Sequence, residues 1–135
     1  MKNIVKLFIV TLSLIILTGC YDRDIIDRKD FNHSLPTVAN LSVSRQNNIA
    51  TLTWQIPSDI SDSFRRPIEV SIQVVEDDIY RQNVAVFDEA TTREIEIDPT
   101  KEYKFIVKLL GFLTPDARQD GFTDRVFSDG VIVEL

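Results

Sequence analysis

The stretch Ile97-Asp98-Pro99-Thr100-Lys101-Glu102-Tyr103-Lys104-Phe105-Ile106-Val107-Lys108-Leu109 decides the fold. Asp98-Pro99-Thr100 reads as a turn, because Pro presets its own φ and Asp bonds readily to backbone two residues on. From Tyr103 the chain alternates, with Tyr103, Phe105, Val107 and Leu109 on one face and Lys104, Ile106 and Lys108 on the other. A period of two marks a half-buried strand rather than a helix. Just upstream, Glu94-Ile95-Glu96-Ile97 alternates in the same way, so the turn joins two strands.

Working outward, the same period recurs. Val38-Ala39-Asn40-Leu41-Ser42-Val43-Ser44 points Ala39, Leu41 and Val43 inward, and Ile49-Ala50-Thr51-Leu52-Thr53-Trp54 does so with Ala50, Leu52 and Trp54. Arg45-Gln46-Asn47-Asn48 turns the chain between them, since Asn tolerates positive φ. Ile68 to Val74 alternates branched and polar residues behind Pro67, which opens the strand where its missing N–H does least harm. A shorter strand follows at Asn83–Phe87, and a last one runs from about Phe127 to Val133. Seven short strands in a domain of about 100 residues, with no helical period after the N-terminal segment, predict an all-β antiparallel sandwich.

Three motifs in chain order then carry a resemblance. Leu52-Thr53-Trp54 followed by Pro57 resembles the second strand of fibronectin type III domains, and Leu41 and Val43 fit the first. Ile97 to Tyr103 resembles the apolar-x-Pro-x-x-x-Tyr approach to the sixth strand, with Tyr103 in the tyrosine-corner position. Ser128-Asp129-Gly130-Val131 resembles the start of the last strand, with Gly130 as a departure that marks a bulge. The resemblance covers residues 35–135 and implies a seven-stranded immunoglobulin-like sandwich. Its structural set is Leu52, Trp54, Ile97, Pro99, Tyr103, Phe105 and Val107, with the Tyr103 hydroxyl bonded to nearby backbone.

The N-terminal segment has a different character. Lys2 and Lys6 precede an apolar run from Leu7 to Leu17, a length that suits a secretory signal and falls short of a membrane span. Leu17-Thr18-Gly19-Cys20 resembles the lipobox of bacterial lipoproteins. That resemblance implies cleavage before Cys20, lipidation of its thiol and acylation of the new N-terminus, so residues 1–19 are a signal peptide. Residues 20–34 are mixed in charge and read as a tether from the lipidated Cys20, able to span at most about 46 Å. Asp22 and Asp24 resemble a surface-export cue of some Gram-negative lipoproteins. Surface-facing and periplasm-facing positions at the outer membrane both fit.

Charge and composition exclude several functions. The 135-residue chain has a formal charge of −6. Without the two lysines of residues 1–19, which hold no acid, 13 basic side chains face 21 acidic ones, a charge of −8. Such a surface does not displace counterions from nucleic acid. The single Cys permits no intramolecular disulfide and no thiolate metal site. His33, the one histidine, lies in the tether, where no packed neighbours could hold a base, so no Ser-His-Asp or Cys-His set forms in the domain. The carboxylate pairs Asp77-Asp78 and Asp88-Glu89 fall between strands, as solvated acids do. Asp116 to Gly121 begins like a calcium loop, but Arg118 occupies a ligand position. The chain is therefore expected to hold no metal or cofactor and to be no enzyme.

What is left is binding. Ser58–Arg66 and Leu113–Arg125 exceed hairpin length, and long loops on a rigid scaffold often bind partners. Phe64, Arg65, Arg66 and Phe122 are the candidate partner-binding residues. The competing reading has Phe64 and Phe122 folding back to cap the sandwich. In the fibronectin topology these loops share the pole where the tether joins, which favours a partner in or on the same membrane. The expected function is an accessory binding or assembly module of the cell envelope, with a structural spacer or adhesion module as the alternative. A carbohydrate-active role is the remote one, since the only Trp is assigned to the core rather than to a glycan.

Overall fold

The computed structural model describes residues 33–135. The expected signal peptide, Cys20 and most of the expected tether lie outside the described residues. The described chain forms an immunoglobulin-like antiparallel β-sandwich of two sheets. The smaller sheet orders β1 (Ala39–Gln46), β2 (Ile49–Gln55) and β5 (Thr92–Glu96) as β1-β2-β5. The larger orders β4 (Ile79–Val86), β3 (Glu69–Glu76), β6 (Tyr103–Phe112) and β7 (Arg125–Phe127) as β4-β3-β6-β7, and β8 (Val131–Glu134) also pairs with β6. A 3-10 turn at Pro115–Ala117 is the only helical element among the described residues.

The alternation in the quoted stretch is realised along all of β6. Tyr103, Phe105, Val107 and Leu109 are buried, and the residues between them are half-buried on the outer face. They meet Ala50, Leu52 and Trp54 of β2 and Ile95 of β5 across the sandwich, with Val70, Ile72 and Val74 of β3 completing the layer. Leu41 and Val43 are partly buried and pack against this core from β1. The Trp54 indole N–H has no hydrogen-bond partner among the described residues, so this side chain contributes through packing.

Several expectations need correction. Eight strand segments occur where seven were expected, because the last expected strand is two pieces. Four steps along the edge, from Phe127 to Val131, span three along β6, from Leu110 to Val107. The extra residue is a β-bulge. The buried Ser128 spans it, since its hydroxyl accepts from the Leu109 N–H at 2.9 Å and donates to the Asp129 carbonyl. Gly130 belongs to this bulge for a steric reason: a Cβ there would come within 2.6 Å of Ile106 Cγ2.

The fourth strand begins earlier than Asn83 and ends before Phe87. Its first half, Ile79-Tyr80-Arg81-Gln82, does not alternate because it lies at an edge where little is buried. Asp77 and Asp78, both at positive φ, form the tight two-residue turn into it, which suits the twist of a hairpin. The first hairpin is equally tight, closing on Asn47-Asn48 alone. Pro99 is exposed rather than core. It sits in a turn closed by the Lys101 N–H on the Asp98 carbonyl at 3.1 Å, with the Asp98 carboxylate accepting from the Thr100 N–H and hydroxyl. Its service is a preset φ rather than buried area.

Trp54→Ala is expected to lower stability by about 3–5 kcal/mol. Trp54→Phe should cost far less, because no hydrogen bond of the indole is lost. Urea unfolding of the two variants checks this ordering. Gly130→Ala should cost about 1–3 kcal/mol by crowding Ile106, read in the same experiment.

Candidate binding surface

The two long loops are stitched together at one end of the sandwich. Arg65 N–H donates to the Phe112 carbonyl and Thr114 N–H to the Ser63 carbonyl, each at 2.8 Å, while Leu113 N–H donates to the Asp124 carbonyl. Phe64 bridges Leu113 in this arrangement and turns inward. At 4% exposure it lies in the core and presents nothing to a partner, so it leaves the candidate binding set. For Phe64 the capping alternative is the one realised. Gly111 makes room for it, since a Cβ there would sit 2.8 Å from the Phe64 ring. His33 is not a free linker residue but packs edge-on to Phe64, with centroids 6.4 Å apart, and Leu35 is already buried. The chain thus joins the domain at the pole of the long loops, as expected. Phe122 is half-buried in its loop, with its N–H donating to the Gln119 carbonyl.

Arg65 and Arg66 diverge. Arg66 donates to Glu89 Oε1 at 2.8 Å, and the same oxygen accepts the Ile68 N–H at 3.1 Å. Glu89 stands in a turn at positive φ with Asp88, closed by the Ala90 N–H on the Phe87 carbonyl. The Ile68 N–H foremost, and then Arg66, hold the Glu89 carboxyl below the usual carboxylate range. Arg66 therefore clamps the β4–β5 turn to the chain before β3, which has a cis Arg66–Pro67 bond. Arg65 instead lies over the Phe112 ring, 5.5 Å from its centroid, and Arg125 lies over the same ring at 5.6 Å. Such contacts favour a guanidinium by the charge distribution of the ring. Asp124 accepts from Arg65 at 3.3 Å and from Arg118 at 2.8 Å.

These cations border a surface that sequence reasoning missed. The outer face of the larger sheet carries a shallow groove of about 390 Å³ lined by Tyr80, Phe87, Leu110, Phe112, Arg125 and Phe127, among others. Phe87 is 57% exposed, Tyr80 58% and Phe127 47%. A signal for it exists in the sequence: the outward positions Ile106, Leu110 and Phe112 of β6 are apolar where a solvated face would be polar. Apolar patches of this kind on a small domain mark interaction sites.

The opposite end is a network of ion pairs around Tyr103. Its hydroxyl accepts from the Asp98 N–H at 3.0 Å and donates to Glu76 Oε2 at 2.7 Å. The backbone bond is the one the tyrosine-corner resemblance implies, and Glu76 is an addition. Arg81 donates to the other Glu76 oxygen at 2.7 Å. The Tyr103 hydroxyl foremost holds the Glu76 carboxyl below its usual range, and Lys101 does the same to Asp77. A general acid needs the opposite displacement. Lys104 pairs with Asp78 at 2.8 Å and is raised by it. Among the described residues no three His, Cys, Asp or Glu side chains converge as metal ligands.

A family model described as a domain of unknown function, DUF4945, matches residues 20–135. The chain belongs to this family. Its match takes in Cys20 and the tether as well as the sandwich. No curated protein matches the chain.

Tyr103→Phe should destabilise the domain by about 1–3 kcal/mol, because the half-buried Asp98 N–H loses its acceptor. The pH dependence follows from Glu76. Its carboxyl is depressed in the folded state, so its contribution is present above the usual carboxylate range and fades as pH falls through the folded value. Removing the hydroxyl removes the main cause. The stability gap between wild type and Tyr103→Phe should therefore narrow on acidification below that range, as measured by thermal melts in a pH series.

Proposed function

We propose that this chain is a non-catalytic, lipid-anchored binding module of the bacterial cell envelope. In this reading it serves as an accessory or assembly subunit at the Gram-negative outer membrane. The observation that carries the binding role is the exposed aromatic face of the larger sheet, with Arg65 and Arg125 held over Phe112. Aromatic and arginine side chains are the residues that most often anchor protein interfaces, because they bury large area with few rotamers to freeze. The anchoring role rests on the likeness of Leu17-Thr18-Gly19-Cys20 to a lipobox, and the family match that includes Cys20 supports it. Two or more acyl chains hold a protein on a membrane where one chain does not.

Placement supports the combination. His33 packs at the pole where Arg65, Phe112 and Arg125 lie, so this end of the sandwich is the one nearest the tether. A partner in or on the same membrane is within reach of a tether of at most about 46 Å. The binding set proposed from the sequence is thereby changed. Arg65 stays, Phe64 goes to the core, Arg66 goes to the Glu89 clamp, and Phe112, Arg125 and Phe127 enter.

Cys20→Ser is expected to abolish palmitate labelling and to move the protein from the membrane to the soluble fraction. A photo-crosslinking residue at position 127 should capture a membrane-associated protein in intact cells. Phe112→Ser with Arg125→Glu should erase that adduct while the melting temperature stays near wild type. Persistence of the adduct in the double variant, or no adduct at all, would remove this surface as the binding site.

A further inference from the structure

The four sheet edges are not equally protected. Unpaired edges invite another strand, and folded domains blunt them with short strands, charges, Pro or bulges. β5 is short and carries Arg93, Glu94 and Glu96. β1 has an irregular register between Ala39 and Ser42, with Asn40 at positive φ. The β7–β8 edge is broken by its bulge. β4 is different. It spans eight residues, pairs only with β3 among the described residues, and runs in regular register from Gln82 to Val86 without a charge or a Pro. Its one irregularity is at Arg81. Ile79, Tyr80 and Phe87, three of the exposed large apolar side chains, lie on it or directly after it.

We propose that the β4 edge accepts an extended segment of a protein partner as an added strand, with an uncharged, alternately apolar centre and basic residues at both ends. This deepens the reading of the outer face as a binding surface and rests on it. An added strand continues the larger sheet, so its outward side chains fall beside Tyr80, Asn83, Ala85 and Phe87, which line the aromatic groove. Main-chain bonds supply affinity in this mode, and the side chains on alternate positions supply selectivity.

Charge decides the occupant. β4 is uncharged from Gln82 to Val86 but is flanked by Asp77-Asp78 at one end and Asp88-Glu89 at the other. Asp88 has no ion-pair partner among the described residues, and the Asp78 side chain is 80% exposed even with Lys104 beside it. A second copy pairing antiparallel on this edge would bring Asp78 of each copy beside Asp88 of the other, with Asp77 and Glu89 held in their own pairs with Lys101 and Arg66. Like charges opposed in this way disfavour the pair. A foreign strand with arginine or lysine at its ends meets the open Asp78 and Asp88 with attraction.

The test uses residues 20–135 and two synthetic peptides, each of alternating valine and threonine, one ending in two arginines on each side and one in two aspartates. The arginine-ended peptide is expected to bind and to slow hydrogen exchange of the β4 amides. The aspartate-ended one should bind about tenfold or more weakly. Ala85→Lys, an exposed change that leaves the core alone, should weaken the arginine-ended peptide by about tenfold, with the melting temperature near wild type. Asp88→Lys should narrow the difference between the peptides. Equal binding of the two peptides, no binding of either, or indifference to Ala85→Lys would overturn strand addition. So would a concentration-dependent dimer lost in Ala85→Lys, which makes a second copy the occupant. If position 127 still crosslinks a membrane protein while neither peptide binds, strand addition fails and the outer-face reading stands.

Discussion

The packing of β6 against β2 is the constraint on which the rest depends. With one Cys in the chain no internal disulfide can form, so the sandwich has no covalent brace and depends on its buried core. β6 supplies its inner row, Tyr103 to Leu109, and is bonded along both edges, to β3 on one side and to β7 and β8 on the other. Leu52 and Trp54 close the core from the opposite sheet. Both ends of the sandwich are organised by this strand. Its first residue organises the ion-pair end and its last, Phe112, is the ring that two guanidiniums share.

The two ends of the sandwich have been given different work. Around Tyr103 the acids are spent on structure: Glu76, Asp77 and Asp98 accept bonds that set turns, and their carboxyls are held low by those bonds. At the other pole Glu89 does the same for the chain before β3. Arg125 and the exposed phenylalanines have no such structural duty. That contrast is why the proposed binding surface lies on the outer sheet face and not among the paired carboxylates.

Much of this was legible in the residues. The alternation from Tyr103, the Trp54 strand and the Asp98-Pro99-Thr100 turn led to the correct class, and Gly130 was recognised as a bulge. Errors fell where the local pattern does not say which way a side chain faces. β4 was shortened because an edge strand need not alternate. A loop aromatic such as Phe64 has two possible directions, and only the small Gly111 opposite it decides between them. Phe112 and Phe127 were passed over because a strand of apolar residues on both faces does not say which face is covered.

By itself the sequence determined the fold class, the inward rows of β1, β2, β3 and β6, the exclusion of disulfide and thiolate-metal chemistry, and the residues that resemble an export and lipidation signal. These follow from local chemistry: the period of side chains along a strand, the φ of Pro and Asn, the count of cysteines. The tertiary structure alone decided which aromatics are buried, which arginine is clamped and which edge is open. Those outcomes depend on residues far apart in the chain, such as Arg66 with Glu89, Arg65 and Arg125 with Phe112, and Phe64 with Gly111. No periodicity encodes a meeting of that kind; the packing of the two sheets brings it about.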